Sequence, residues 1–184
     1  MSPTNTSTTN TTNTTSTASA ASKSTNGSGN LSQIVTFRLG ADLFAADIHG
    51  VERVLRWQQP TPIPNVPAWI VGVLDYQKRV LPVIDLRTRF ELAVTAPTAE
   101  TRVVVFNAGE NWVAGVVDAV LDVAALGKAT VEPPPPLFRG LSADYLRGII
   151  RRDGKLVLLL DTERLLSATE RLALSAATEA LSHA

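Results

Sequence analysis

Ile70-Val71-Gly72-Val73-Leu74, a polar turn from Asp75 to Arg79, then Val80-Leu81-Pro82-Val83-Ile84-Asp85: this stretch decides the reading of the chain, because it occurs twice. The second copy is Leu146-Arg147-Gly148-Ile149-Ile150, a polar turn from Arg151 to Lys155, then Leu156 to Leu160 and Asp161. The spacing from Gly72 to Asp85 is the spacing from Gly148 to Asp161. Two apolar runs around a short turn spell a β-hairpin. One hairpin cannot bury its own apolar faces, so a duplicated hairpin predicts two similar β subdomains that share a core.

The repeat extends upstream. Phe37-Arg38-Leu39-Gly40, Leu43-Phe44-Ala45-Ala46, then Val51 and Val54 align with Phe106-Asn107-Ala108-Gly109, Trp112-Val113-Ala114-Gly115, then Val120 and Val123. The connector to the long hairpin is longer in the second half. Chance explains any one apolar pair; two hairpins recurring in the same order argue for duplication.

Ile34 to Leu39 reads as a strand, Gly40-Ala41-Asp42 as its turn, and Leu43 to Ile48 as the returning strand. Asp47 is placed to cap a short helix running through Arg53. Pro60, Pro62, Pro64 and Pro67 make the next segment an extended connector, and Val131 to Pro136 is its counterpart. Arg87 to Phe90 reads as a helical turn. Arg102 to Asn107 and Trp112 to Val117 form the next hairpin, turned at Ala108-Gly109-Glu110-Asn111. Asp153-Gly154 is a strong turn dipeptide, because both residues accept positive φ. From Asp161 the pattern becomes helical, with capping-box form at Ser167-Ala168-Thr169-Glu170 and Leu165, Leu172, Ala176 and Leu181 at helical spacing. This helix is expected to lie on a barrel; binding a partner is the alternative.

The chain has 184 residues, enough for one domain with a real core, and its 17 basic residues balance 17 acidic ones. That balance disfavours binding nucleic acid through a basic field, which needs clustered Lys and Arg. A small β-barrel nucleic-acid module remains the alternative reading. There is no cysteine, which removes disulfides, thiolate metal sites and cysteine nucleophiles. Residues 1–30 are almost entirely Ser, Thr, Asn, Ala and Gly and are expected to be disordered. No secretory signal and no run of about eighteen apolar residues is visible.

No catalytic, metal or cofactor site is expected. His49 and His183 are the only imidazoles, and neither sits in a metal-spaced cluster. Asp85 and Asp161 occupy equivalent positions; they read as caps of the helical turns that follow, rather than as an acid–base pair. The glycines match neither a P-loop nor a dinucleotide fingerprint. Trp69 and Trp112 are expected in the core. Trp57, in the polar segment Arg56-Trp57-Gln58-Gln59, is the candidate for an exposed interface anchor.

At Val51-Glu52-Arg53-Val54, Ile63-Pro64, Pro67, Ile70 to Leu74, Leu81-Pro82-Val83-Ile84-Asp85-Leu86, Val116-Val117-Asp118-Ala119-Val120, Pro133 to Pro136 and Leu159-Leu160-Asp161, the chain resembles the CheW domain family. The match runs roughly from Ser32 to Leu166. The resemblance implies an all-β fold with short helices: two SH3-like five-stranded β-barrel subdomains sharing a core, plus a C-terminal helix. The expected divisions are a tail at 1–30, a CheW-like domain at 31–166 and the helix at 167–184. It further implies a non-enzymatic adaptor that joins the cytoplasmic tips of methyl-accepting chemoreceptors to the regulatory domain of a CheA-type histidine kinase. Such an adaptor would be cytoplasmic and recruited to membrane receptor arrays, without inserting into the membrane. The kinase domain shares the fold, so the two can pair pseudo-symmetrically in rings.

By this resemblance the receptor-facing groove comprises Val51 and Arg53 on the short helix, Gly72 beside it, and Asp75, Gln77 and Lys78 at the turn. Glu132, Pro133 and Leu137 resemble a kinase-facing edge. Family members usually read Asn-Leu-Arg-Gly-Glu where this chain has Asp75-Tyr76-Gln77-Lys78-Arg79, and tend to carry Glu in place of Arg53. The family's Glu–Arg pair therefore cannot form, and an Arg53–Gln77 contact is its possible replacement. Lys78 in place of Gly costs about 1 kcal/mol if it must take positive φ; the turn could instead relax. The changed charges predict a divergent adaptor serving its own receptors and kinase.

Overall fold

The computed structural model describes residues 31–109, 111–127, 129–134 and 144–182. The Ser/Thr/Asn-rich tail, Glu110, the connector from Pro135 through Leu137, and His183 lie outside the described residues. The first half of the repeat forms β1 (Gln33–Leu39), β2 (Asp42–Asp47), β3 (Val51–Arg56), β4 (Ile70–Tyr76) and β5 (Arg79–Asp85), followed by the one-turn helix α1 (Leu86–Arg89). The second half forms β6 (Arg102–Ala108), β7 (Asn111–Val117), β8 (Ala119–Ala125), a two-residue β9 (Val131–Glu132), β10 (Leu146–Arg152) and β11 (Lys155–Leu160). A 3-10 turn at Thr162–Arg164 leads to α2 (Ala168–Ser182).

The halves exchange strands. One sheet runs β8-β1-β2-β11-β10-β9 and the other β3-β6-β7-β5-β4. Each sheet therefore takes one upstream hairpin from one half and the long hairpin from the other. The same contacts recur on both sides: Val83 lies beside Ala114 in the parallel β5–β7 pair, and Leu159 beside Ala45 in the parallel β11–β2 pair. Bulges fall at matching places in β4 and β10, between Ile70 and Gly72 and between Leu146 and Gly148. Both glycines let a connector cross closely. A Cβ on Gly72 would sit 2.3 Å from the Thr61 carbonyl oxygen, and one on Gly148 2.7 Å from that of Glu132. The proline-rich connectors thus end as edge pieces, Thr61 bridging Val73 and β9 pairing with β10.

Three apolar clusters follow from this arrangement. Leu74, Tyr76, Leu81, Val83, Val103 and Val105 fill one barrel (barrel B, built on β3–β7). Ile34, Ala45, Ile150, Val157 and Leu159 fill the other (barrel A). Between them a seam joins Phe37, Phe44 and Leu160 of one sheet to Ile84, Val104 and Phe106 of the other. The inner strands β1, β2, β5, β6, β7 and β11 feed the seam with one face and their barrel with the other, so they read as nearly continuous apolar runs. The fold is all-β, with two subdomains, a shared core and a C-terminal helix.

Three local expectations need correction. Asp47 does cap a turn, accepting from the His49 amide at 3.0 Å, but the helix is a single 3-10 turn ending at Gly50. Val51 and Arg53 lie on strand β3, drawn into the β6 ladder of the other half; tertiary pairing overrides the local helix signal. The C-terminal helix seats Leu174, which is buried, while Leu172 is 73% exposed and Ala176 is exposed, so the stripe through Leu172 faces away from the barrel. The first long turn does not relax: Gln77 and Lys78 hold φ of 52° and 64°, a two-residue turn with both residues left-handed.

Candidate functional site

Strand β3 is the free edge of its sheet, and its exposed row is Glu52, Arg53, Val54 and Arg56. Val51, at its start, is half-buried against the seam opposite Phe106, as its repeat partner Val120 is against the same seam. Residues 57–61 then carry the chain from the end of β3 to Val73 of β4. This brings β3 and the β4–β5 turn to the same barrel, whose interior receives Leu55 and Trp57 alongside Leu74 and Tyr76.

The receptor-facing candidates divide accordingly. Arg53 is exposed on β3, and Asp75, Gln77 and Lys78 are exposed on β4 and its turn. Gly72 is buried beneath Thr61, where its role is to admit the connector. The Arg53–Gln77 contact is absent: Gln77 Nε2 donates to the Tyr76 hydroxyl at 3.1 Å. Arg53 forms no hydrogen bond or ion pair among the described residues. Trp57 is half-buried against the barrel interior, so it is not a free-standing exposed anchor. Glu132 and Pro133 are exposed at the β9 edge, with Glu132 3.6 Å from Arg151 Nε; Leu137 lies outside the described residues.

Asp85 and Asp161 both act as caps, accepting from the amides of Arg87 and Glu163. Their surroundings differ. Arg87, its side chain 3% exposed, clasps Asp85 through Nε and Nη2 at 3.0 and 2.9 Å and reaches Asp118 through Nη1 at 2.8 Å. Nη1 also donates to the Thr95 carbonyl, and Asp118 accepts from the Gly40 amide. One guanidinium thus ties α1, the β7–β8 corner, the β1–β2 turn and the following loop. The bonds to Asp85 raise the Arg87 pKa against the opposing effect of burial, so its charge is permanent.

A second buried arginine fixes α2. Arg89 donates to both carboxylate oxygens of Glu170 at 2.8 Å and lies 4.0 Å over Trp69 and 4.9 Å over Tyr145. Glu170 completes the reciprocal capping box with Ser167. Burial pushes the Glu170 carboxyl up, but the Arg89 and Ser167 bonds outweigh it and hold the pKa below the ordinary glutamate value. Sequence reasoning missed both arginines. The available signal was Arg87-Thr88-Arg89 closely following the apolar run Val80–Ile84, where a short helix at a seam must bury one side.

Among the described residues no group of His, Cys, Asp and Glu could hold a metal, and no helix is long and apolar enough to cross a membrane. Comparison with known proteins gives a consistent answer. The family model described as CheW-like domain matches residues 33–170. The chain is 30% identical over 142 residues to the chemotaxis protein CheW of Treponema pallidum, covering 75% of this chain and 84% of that one. It is 33% identical to CheW of Klebsiella aerogenes over 138 residues (75% and 83%), and 32% identical to protein FrzA of Myxococcus xanthus over 142 (76% and 88%). The solved scaffolding protein TtCheW of Thermoanaerobacter tengcongensis superposes with a TM-score of 0.70 at 27% identity, covering 76% of this chain and 94% of that one. The chain belongs to the CheW-like domain family of chemotaxis scaffolds and adaptors, which are not enzymes.

Proposed function

We propose that this chain couples the cytoplasmic tips of chemoreceptors to the regulatory domain of a CheA-type histidine kinase, as a cytoplasmic adaptor recruited to receptor arrays. The observation that carries the reading is the free β3 edge, where exposed Arg53 and Val54 follow half-buried Val51. An apolar strip with polar neighbours suits a helical receptor tip, the apolar part supplying contact area and the charges fixing register. Asp75, Gln77 and Lys78 extend this surface. Glu132 and Pro133, with Leu137 beyond the described residues, are the kinase-facing candidates.

Arg53 and Gln77 set the partner. A cation stands where family members tend to carry Glu, and a neutral amide where they carry Arg. A receptor matched to the usual pair would meet a like charge or lose an ion pair, which discriminates between partners without touching the core. The adaptor therefore serves its own receptors and kinase.

Affinity purification of the tagged full chain from its native cells tests this. A CheA-type kinase and a chemoreceptor are expected to be retained, and Arg53→Glu should lower receptor capture by about tenfold while leaving the melting temperature unchanged. Failure to retain either protein, or unaltered capture by Arg53→Glu and by Gln77→Arg, overturns the assignment.

A further inference from the structure

The last residue of β3 and the first of β6 are both arginine, and Arg56 stands opposite Arg102 in the antiparallel ladder. The side chains of such a pair start about 5 Å apart on one face, so two like charges there repel. No acid among the described residues offsets them. The Arg56 side chain is exposed and forms no hydrogen bond or ion pair among those residues. Arg102 donates Nη1 to the carbonyls of Ala99 and Thr101 at 2.7 and 2.8 Å, neutral acceptors that hold its guanidinium in place. Glu100, two residues before Arg102, is taken by Arg38. Asp118 follows Val117, which pairs with Arg102, but it is taken by Arg87 and the Gly40 amide. Glu52, the acid of β3 itself, forms an ion pair with neither arginine, and Glu110 follows the far end of β6 in the chain.

The duplication does not require this pair. Its counterpart in the other sheet is Gln33 opposite Ala125, which is uncharged. The three arginines of β10, in order, lie 3.9, 3.6 and 3.0 Å from the carboxylates of Asp47, Glu132 and Asp122. On β10 every arginine has an acid within reach; at the end of β3 two cations share a face with none. The same face is partly apolar, because Val54, two residues before Arg56, is 38% exposed.

We propose that the partner helix received at β3 is acidic where it meets the end of that strand: two carboxylates one turn apart sit on Arg56 and Arg102, with an apolar side chain beside them over Val54. This rests on the reading of β3 as the edge that takes a helical tip. The spacings agree, since side chains at i and i+4 of a helix lie about 5–6 Å apart, close to the separation of a cross-strand pair. The line from i to i+4 follows the helix axis, and the line from Arg56 to Arg102 runs across the strands. The helix therefore crosses the end of β3 rather than running along it. Each guanidinium gains a charge-assisted hydrogen bond, and the repulsion between the two is relieved on binding.

The test titrates the full chain with helical peptides that carry one leucine and differ only at two positions one turn apart, which are both Glu, both Gln or both Lys. The Val54 methyl and the Arg56 and Arg102 Nε–H resonances report binding. The Glu peptide is expected to saturate and to move all three, with the Gln peptide weaker by about tenfold or more and the Lys peptide inert. Free glutarate, two carboxylates without a helix, should also be weaker by about tenfold. Arg56→Gln is the deciding variant, because its two effects have opposite signs. It should weaken the Glu peptide by about tenfold, yet raise the melting temperature by about 1–3 °C by removing a like charge. The proposal is overturned if the Gln peptide or glutarate binds as tightly as the Glu peptide, if the three resonances do not move, or if Arg56→Gln binds like the parent or melts lower. Receptor capture from cells without binding of the Glu peptide refutes this inference alone; binding of the Glu peptide without receptor capture refutes the adaptor reading and leaves an acidic-helix surface.

Discussion

At the turn of the first long hairpin the chain forces Gln77 and Lys78 into the left-handed region; at the equivalent turn of the second it uses Asp153 and Gly154, with φ of 51° and 74°. The backbone form is the same. Strand twist and a two-residue loop demand it, whatever residues occupy the positions. The second half meets the demand with residues that tolerate it, while the first meets it against preference. The junctions after these hairpins differ in the opposite sense. Asp85-Leu86-Arg87 becomes a buried, fully bonded ion cluster, whereas at Asp161-Thr162-Glu163 the cap is only half-buried, Glu163 is exposed, and Arg164 lies near Asp161. Duplication copied the backbone plan. The side chains were then free to specialise, the first half investing in its junction and accepting a strained turn.

The largest test of this contrast is at the junctions. Arg87→Met should cost about 3–5 kcal/mol, because it leaves Asp85 and Asp118 buried without their cation. Glu163→Met, at the equivalent exposed position, should change stability by less than about 0.5 kcal/mol. Urea denaturation of both variants checks the pair, and similar losses would mean that the halves are not specialised as described.

An intermediate effect is expected where α2 meets the first half. Glu170→Gln keeps the shape but loses the charge facing Arg89, and should cost about 1–2 kcal/mol. The pH dependence has a definite sign. The folded-state pKa of Glu170 is depressed, so its contribution is complete above the ordinary glutamate pKa and is lost as pH falls through the lower folded value. Acid titration monitored through Trp69 fluorescence should show α2 loosening in the parent, and the acid-dependent part should vanish in Glu170→Gln.

The smallest effect is at the turns. Lys78→Gly should stabilise by about 1 kcal/mol, and Gly154→Lys should destabilise by a similar amount. Thermal melts of the two variants would sharpen the comparison, since opposite signs are required.

What the sequence made legible was whatever repeats locally: both long hairpins, the Asp85 and Asp161 caps, the Ser167–Glu170 capping box and the shared core. What it concealed depends on contacts distant in the chain. Val51 to Arg53 follows a genuine helix cap, and only the arrival of β6 makes it a strand. Leu172 and Leu174 are both plausible buried positions until the direction of approach of α2 is known. Of the surface candidates, Arg53, Asp75, Gln77 and Lys78 stand exposed, while Gly72 and Trp57 serve the barrel itself. Arg87 was obscured because burial of a cation becomes plausible only once Asp118, from the other half, is seen beside it.

The exchange of strands between halves has a mechanical consequence. To turn one barrel against the other, the two short crossings, Ile48–Gly50 between β2 and β3 and Asp118 between β7 and β8, must flex together while the apolar seam between the sheets opens. The molecule therefore behaves as a rivet and not as a hinge: whatever grips one barrel has its orientation dictated to whatever grips the other, and a displacement imposed at one end is delivered at the far end with little lost to internal give.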